Sequence, residues 1–103
     1  MYSRVTLLEI DTMRATVGEA VRLFEEQVLP ELREHEGYDG VAVLATPDGK
    51  GMIVSFWDTE ETATAAAGFA TEALERYVTL FRSPPGREQY EVVLAELPDA
   101  ALR

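Results

Sequence analysis

Between Gly40 and Trp57 the chain carries two strand-forming runs joined by a turn whose chemistry is fully specified. Gly40-Val41-Ala42-Val43-Leu44-Ala45-Thr46 and Gly51-Met52-Ile53-Val54-Ser55-Phe56-Trp57 are rich in β-branched, aliphatic and aromatic residues. Thr46-Pro47-Asp48-Gly49 lies between them. Proline presets φ, aspartate hydrogen-bonds back to the turn, and glycine accepts positive φ. A hairpin at the centre of a chain of 103 residues limits what the flanks can do, because each must cover or extend the same sheet.

The flanks repeat one pattern. Val5-Thr6-Leu7-Leu8-Glu9-Ile10 predicts a strand over Arg4 to Asp11. A helix then starts near Val17, where Thr16 and Glu19 have the spacing of a capping box. Val17, Val21, Phe24, Val28 and Leu32 recur every three or four residues, which is one face of a helix. Pro30 falls inside this run and predicts a kink or a detached last turn, and Gly37 offers a stop. After the hairpin, Asp58 or Thr59 begins an alanine-rich helix with Glu60 and Glu61 in its first turn. A break is expected at Gly68. Ala70, Leu74, Tyr77 and Phe81 then form a second helical stripe, Ser83-Pro84-Pro85-Gly86 makes a loop, and Tyr90 to Leu97 reads as the last strand.

The order β-α-β-β-α-β is the ferredoxin-like, α+β arrangement: an antiparallel sheet with helices on one face. One domain over 4–97 and a loose tail over 98–103 follow. Apolar residues occupy both parities of the strands. The helices can cover one sheet face, and the chain is too short to supply a third layer. A second copy, in a homodimer, is the expected cover for the other face.

Charge narrows the partners. Nineteen acidic residues against nine Lys and Arg give a net charge of -10, a field that opposes nucleic acid and anionic membrane surfaces. No run approaches the ~20 apolar residues of a membrane span, and no signal segment is visible. With no cysteine, the chain has no thiolate chemistry and needs no oxidising compartment. No cluster of His, Asp and Glu has metal-site spacing. Eight arginines against the single Lys50, and the absence of Asn, fit a GC-rich or thermophilic source. A cytoplasmic, bacterial-type protein is the expectation, with neutral or aromatic small molecules as its ligands.

The element order, the segment Pro30-x-Leu32…Glu36-Gly37-Tyr38-x-Gly40 and the strand end Phe56-Trp57-Asp58-Thr59-Glu60-Glu61 resemble the antibiotic biosynthesis monooxygenase family of the dimeric α/β-barrel superfamily. The resemblance covers about Arg4 to Leu97. It implies a dimer with two facing sheets and a pocket between sheet and helices in each subunit. It also implies either oxygenation of an aromatic polyketide without a cofactor or, in another branch, haem degradation. The polyketide pattern places a Trp at the end of the third strand, an Asn four residues before it and a Tyr six residues after. Trp57 matches, while Ile53 and Ala63 hold the other two positions, and Arg76 or Tyr77 lies near an expected Arg. The haem pattern falls on Ile10, Ala66 and Arg76, none of which matches.

The candidate ligand-binding residues are therefore Trp57, Tyr77, Phe81 and Ile53, with no catalytic residue assigned and no metal or other cofactor expected. Trp57 also reads as a core anchor and Tyr77 and Phe81 as core or pocket wall. The single histidine, His35, sits between Glu34 and Glu36 near a helix end and reads as a solvated imidazole. Two functions are expected from this pattern. One is a cofactor-free monooxygenase acting on a small aromatic or polyketide-like substrate. The other is a non-catalytic dimeric binding or structural protein that has lost the polar site.

Overall fold

A computed structural model describes residues 1–97, and the tail expected over 98–103 lies outside them. Four strands, β1 (Tyr2–Glu9), β2 (Tyr38–Ala45), β3 (Lys50–Trp57) and β4 (Gly86–Glu91), form one antiparallel sheet in the order β2-β3-β1-β4. Side chains alternate across a strand. Arg4, Thr6 and Leu8 of β1 and Ile10 just beyond it, with Ile53, Ser55 and Trp57 of β3, look toward the helices. The fold is the ferredoxin-like α+β arrangement, with helices on one face.

The first helical run follows its capping signal. Thr16 Oγ1 accepts from the Glu19 amide at 3.0 Å and the Glu19 carboxylate accepts from the Thr16 amide at 2.8 Å. Those bonds hold the Glu19 carboxyl below its ordinary pKa. Helix α1 (Val17–Leu23) passes through a π turn (Phe24–Val28) into α2 (Leu29–Leu32). The predicted disturbance at Pro30 takes this form. The amide of Leu29 reaches back five residues to Phe24, and the widened turn receives a proline that has no N–H to give. The wide turn also keeps Val28, Leu29 and Leu32 buried while Pro30 faces outward.

Helices α3 (Glu60–Ala65) and α4 (Ala67–Arg76) follow the hairpin. Thr59 caps α3 in a reciprocal arrangement with Thr62. The break falls at Ala66, and Gly68, where it was expected, lies inside α4 with open space around it. The helical stripe ends sooner than its spacing predicts. Tyr77 caps α4 with φ -118°, a 3-10 turn covers Val78–Leu80, and Phe81 is extended and bridges to Ile10.

The last strand also lies earlier than Tyr90 to Leu97. β4 pairs Gly86 to Glu91 with Leu7 to Tyr2 of β1, and one further bond joins the Val92 amide to the Met1 carbonyl. The ladder with β1 ends at that bond. Val93 and Leu94 are therefore left 87% and 88% exposed in this chain. At the other edge, the register between Tyr38 and Gly40 of β2 slips by one residue in a bulge at Asp39. Among the described residues no helix is long and apolar enough to cross a membrane.

Gly37 joins the helical run to the hairpin. Its φ is +82°, its carbonyl accepts from the Asp58 amide at 2.9 Å, and a Cβ there would run into Asp58 Oδ1 and the Thr62 side chain. Gly37→Ala is expected to cost about 2–4 kcal/mol, from left-handed strain and the forced displacement of both side chains. The check is a urea titration in which the midpoint falls while the slope m stays unchanged.

Candidate functional site

Trp57 closes β3 and is 0% exposed. Its indole N–H donates to Ser55 Oγ at 2.9 Å, so the buried ring has its polar atom satisfied by a residue two positions earlier on the same sheet face. Leu29, Leu32, Ala63 and Ala66 pack around it. Tyr38 meets it edge-on at 5.9 Å between ring centroids. His35 is half-buried, resting on Phe69 at 4.7 Å and edge-on to Trp57 at 6.5 Å. The expected solvated imidazole is thus a lid over the core. It is pulled in by the tight path from α2 to Gly37, and it does not line the cavity described next.

Sheet and helices are held in close contact at Trp57 and separate beyond it. The gap is a cavity of about 140 Å³, walled by Leu8 and Ile53 of the sheet, Val21 and Phe24 of the first helical run, and Phe69 and Leu74 of α4. An apolar void of about 150 Å³ accepts one benzene ring, so this cavity is the size of a single ring. Ile53, Trp57, Tyr77 and Phe81 all border it. Trp57, having no exposed surface, forms the closed end. Phe81 reaches the wall from an extended segment. The Tyr77 hydroxyl donates to Gln27 Oε1 at 2.6 Å, which ties the end of α4 to the π turn.

Other residues singled out in the sequence lie elsewhere. Ala63 is in the Trp57 cluster, and Arg76 pairs with Glu31 at 3.5 Å on the surface. Sequence reasoning missed Arg4. It points from β1 into the cavity, and its Nη1 donates to Gln89 Oε1 at 2.7 Å. The Gln89 amide in turn donates to Thr64 Oγ1 at 3.1 Å. Burial, and then the charge of Arg87, push the Arg4 pKa down. Strand parity was the available signal, since Arg4 shares its parity with Thr6, Leu8 and Ile10. Among the lining residues Arg4, Thr6, Ser55, Trp57 and Tyr77 carry polar side-chain N or O atoms, and none is a carboxylate or an imidazole.

No family model matches the chain, and no curated protein matches it. Solved structures do. A protein of unknown function from Nitrosomonas europaea aligns with TM-score 0.74 at 21% identity, covering 96% of this chain and 95% of that one. A monooxygenase from Streptomyces coelicolor, solved with nanaomycin D, aligns with TM-score 0.70 at 21% identity, covering 95% and 92%. The haem degrader MhuD from Mycobacterium tuberculosis, solved with two haems, aligns with TM-score 0.68 at 18% identity, covering 93% and 99%. Further structures of the same fold bear the name antibiotic biosynthesis monooxygenase. The chain has the fold of that group, in agreement with the family resemblance carried by its sequence.

Ala73 of α4 is buried and lines the cavity. Ala73→Leu is expected to fill the void with little loss of stability, within about 1 kcal/mol of the parent. The melting temperature of the parent should rise in benzene-saturated buffer through ligand linkage, and that of the variant should not. A thermal scan of both with and without benzene is the check.

Proposed function

We propose that this chain, with the fold of the antibiotic biosynthesis monooxygenases as its frame, binds a small planar aromatic molecule between sheet and helices. Its reaction is addition of oxygen to that molecule without metal or flavin. The observation that carries this reading is the ring-sized apolar cavity bordered by Trp57, Tyr77 and Phe81. Sites of this kind hold a flat ligand by apolar contact and orient it with a few polar groups.

For a one-ring phenol the chemistry balances with dioxygen alone. The hydroxyl proton is lost to solvent as the substrate enters, and the phenolate, with carbanion character at the para carbon, passes electrons to dioxygen. A carbon–oxygen bond forms, and the hydroperoxide loses water to leave a carbonyl. One oxygen atom stays in the product and the other leaves as water. The apolar walls exclude solvent from the carbanion, and Tyr77, by giving up its bond to Gln27, can donate to an oxygen of the substrate. Haem is disfavoured as the ligand, because the single histidine lies on the Trp57 cluster and does not line the cavity.

A specific observation favours a second reading, a non-catalytic binding protein. Ile53 and Ala63 stand where the polyketide pattern has Asn and Tyr, and the lining has no carboxylate or imidazole to take a proton. Oxygen uptake with phenol separates the two. The enzyme reading expects uptake above buffer and a fall of roughly tenfold or more in Tyr77→Phe. Uptake equal to buffer, with the same compound shown to bind, leaves the binding reading alone.

The working unit in either case is a homodimer. Val5, Leu7, Leu44, Met52, Val54, Phe56 and Tyr90 lie on the sheet face turned away from the helices. Leu7, Leu44 and Tyr90 there are exposed in the single chain, and the Ser3 hydroxyl on that face is buried with no protein partner. Sedimentation at micromolar concentration should report a dimer, and Val54→Asp should shift it to monomer. A parent that sediments as a monomer would overturn the assignment.

A further inference from the structure

We infer that Arg4, supported by Arg87, forms a carboxylate subsite at the Ser55 end of the cavity, so that the ligand is a one-ring aromatic acid. The inference rests on the aromatic-cavity reading above and specifies its ligand class. Arg4 lines an apolar cavity and is half-buried. A guanidinium carries five N–H donors. One of these is used, on Gln89 Oε1, and the rest have no protein partner among the described residues. Burying a cation without a counter-charge is costly.

Arg4 faces the cavity with no carboxylate within ion-pair distance, although the chain carries nineteen acidic residues. Arg14, Arg76 and Arg82, on the surface, each meet a carboxylate at 3.5–3.7 Å. Arg4, the more buried group, meets a neutral amide. Gln89 is its cross-strand partner on β4, the position from which a glutamate would neutralise it. Thr64 anchors that amide from α3.

A second cation stands beside the first. Arg87 lies two residues before Gln89 on the same face of β4, opposite Thr6, and donates to Thr71 Oγ1 of α4. No carboxylate lies within ion-pair distance of Arg87 among the described residues. Its nearness is felt by Arg4, whose charged form it disfavours together with burial. Arg4 in the cavity wall and the exposed Arg87 stand on diagonal positions of β1 and β4, each held by a neutral hydrogen-bond partner, and form a site completed by an anion.

The planar fork of arginine matches a carboxylate with two parallel hydrogen bonds. The adjoining void holds one ring. An anion must also be drawn in against a net charge of -10, so preference for one is a property of this spot and not of the whole surface.

The test is calorimetric titration with benzoate, its neutral isostere benzamide, and benzene. Benzoate is expected to bind at least tenfold more tightly than benzamide. Arg4→Met should remove that preference while benzene and benzamide still bind, which also shows that the variant is folded. Arg87→Met should weaken benzoate by a smaller factor, and Arg82→Met, at a paired surface arginine, should leave the preference intact. Benzene and benzamide binding with benzoate no tighter, or a preference that survives Arg4→Met, overturns the carboxylate subsite and leaves the aromatic cavity standing. If none of the three binds, the cavity reading fails and the subsite fails with it.

Discussion

Everything on the helix side of the sheet is positioned by the burial of Trp57. A side chain this large, wholly out of water, contributes several kcal/mol when its indole N–H is satisfied, on the order of 3–5 by truncation. Ser55 satisfies it from the same strand face. Around the ring, β3, α2 and α3 are brought together through Leu29, Leu32 and Ala63, and Ala66 at the α3–α4 break completes the ring of contacts. Because alanines face the ring, α3 can approach closely there. α4 leaves the break with Ala70 and Ala73 toward the sheet. Small side chains opposite a sheet that is no longer close leave space. The cavity is the geometric consequence of a tight anchor at one end and short side chains at the other.

Closure of the far end depends on different forces. Phe81 and Leu80 stand there on an extended link and a 3-10 turn. Backbone bonds pin this link to β1, from the Asp11 amide to Leu80 and from the Arg82 amide to Glu9. Tyr77 and Gln27 add a side-chain bond between α4 and the π turn. The wide turn at Phe24 thus serves two ends at once. It accommodates Pro30 and holds the helical wall of the cavity in phase with the buried Val28 and Leu32.

The parts of this fold that local chemistry dictates were legible in the sequence. The Thr46–Gly49 turn and the Thr16–Glu19 box form as their residues predict, because their bonds close within a few residues. Positions set by distant partners were not. The last strand looks as if it should occupy the apolar run at Tyr90 to Leu97, yet its place is fixed by its register with β1, Gly86 to Glu91 against Leu7 to Tyr2. The break at Ala66 was hidden among alanines whose helical propensities are equal, while Gly68 drew attention and bends nothing. Of the site, Ile53 and Trp57 could be placed by strand parity and Tyr77 by helical spacing. The conformation of Phe81 was misread, since spacing does not reveal where a helix stops. Arg4 was overlooked because an arginine near a strand end reads as solvated until Gln89 is seen across from it.

The two borders of the sheet differ in a way that bears on how such a chain behaves when concentrated. An open border strand offers unpaired amides to any neighbour, and unchecked addition there leads to filaments. β4 is six residues long and carries Arg87, Glu88 and Glu91. β2 is longer and greasier, but its bulge at Asp39 interrupts the even ladder that an incoming strand would need. Stacking of further strands is resisted at one rim by charge and at the other by irregular backbone. Any adhesion between molecules is left to side chains, which fit a particular partner, and that favours small closed assemblies over endless ones.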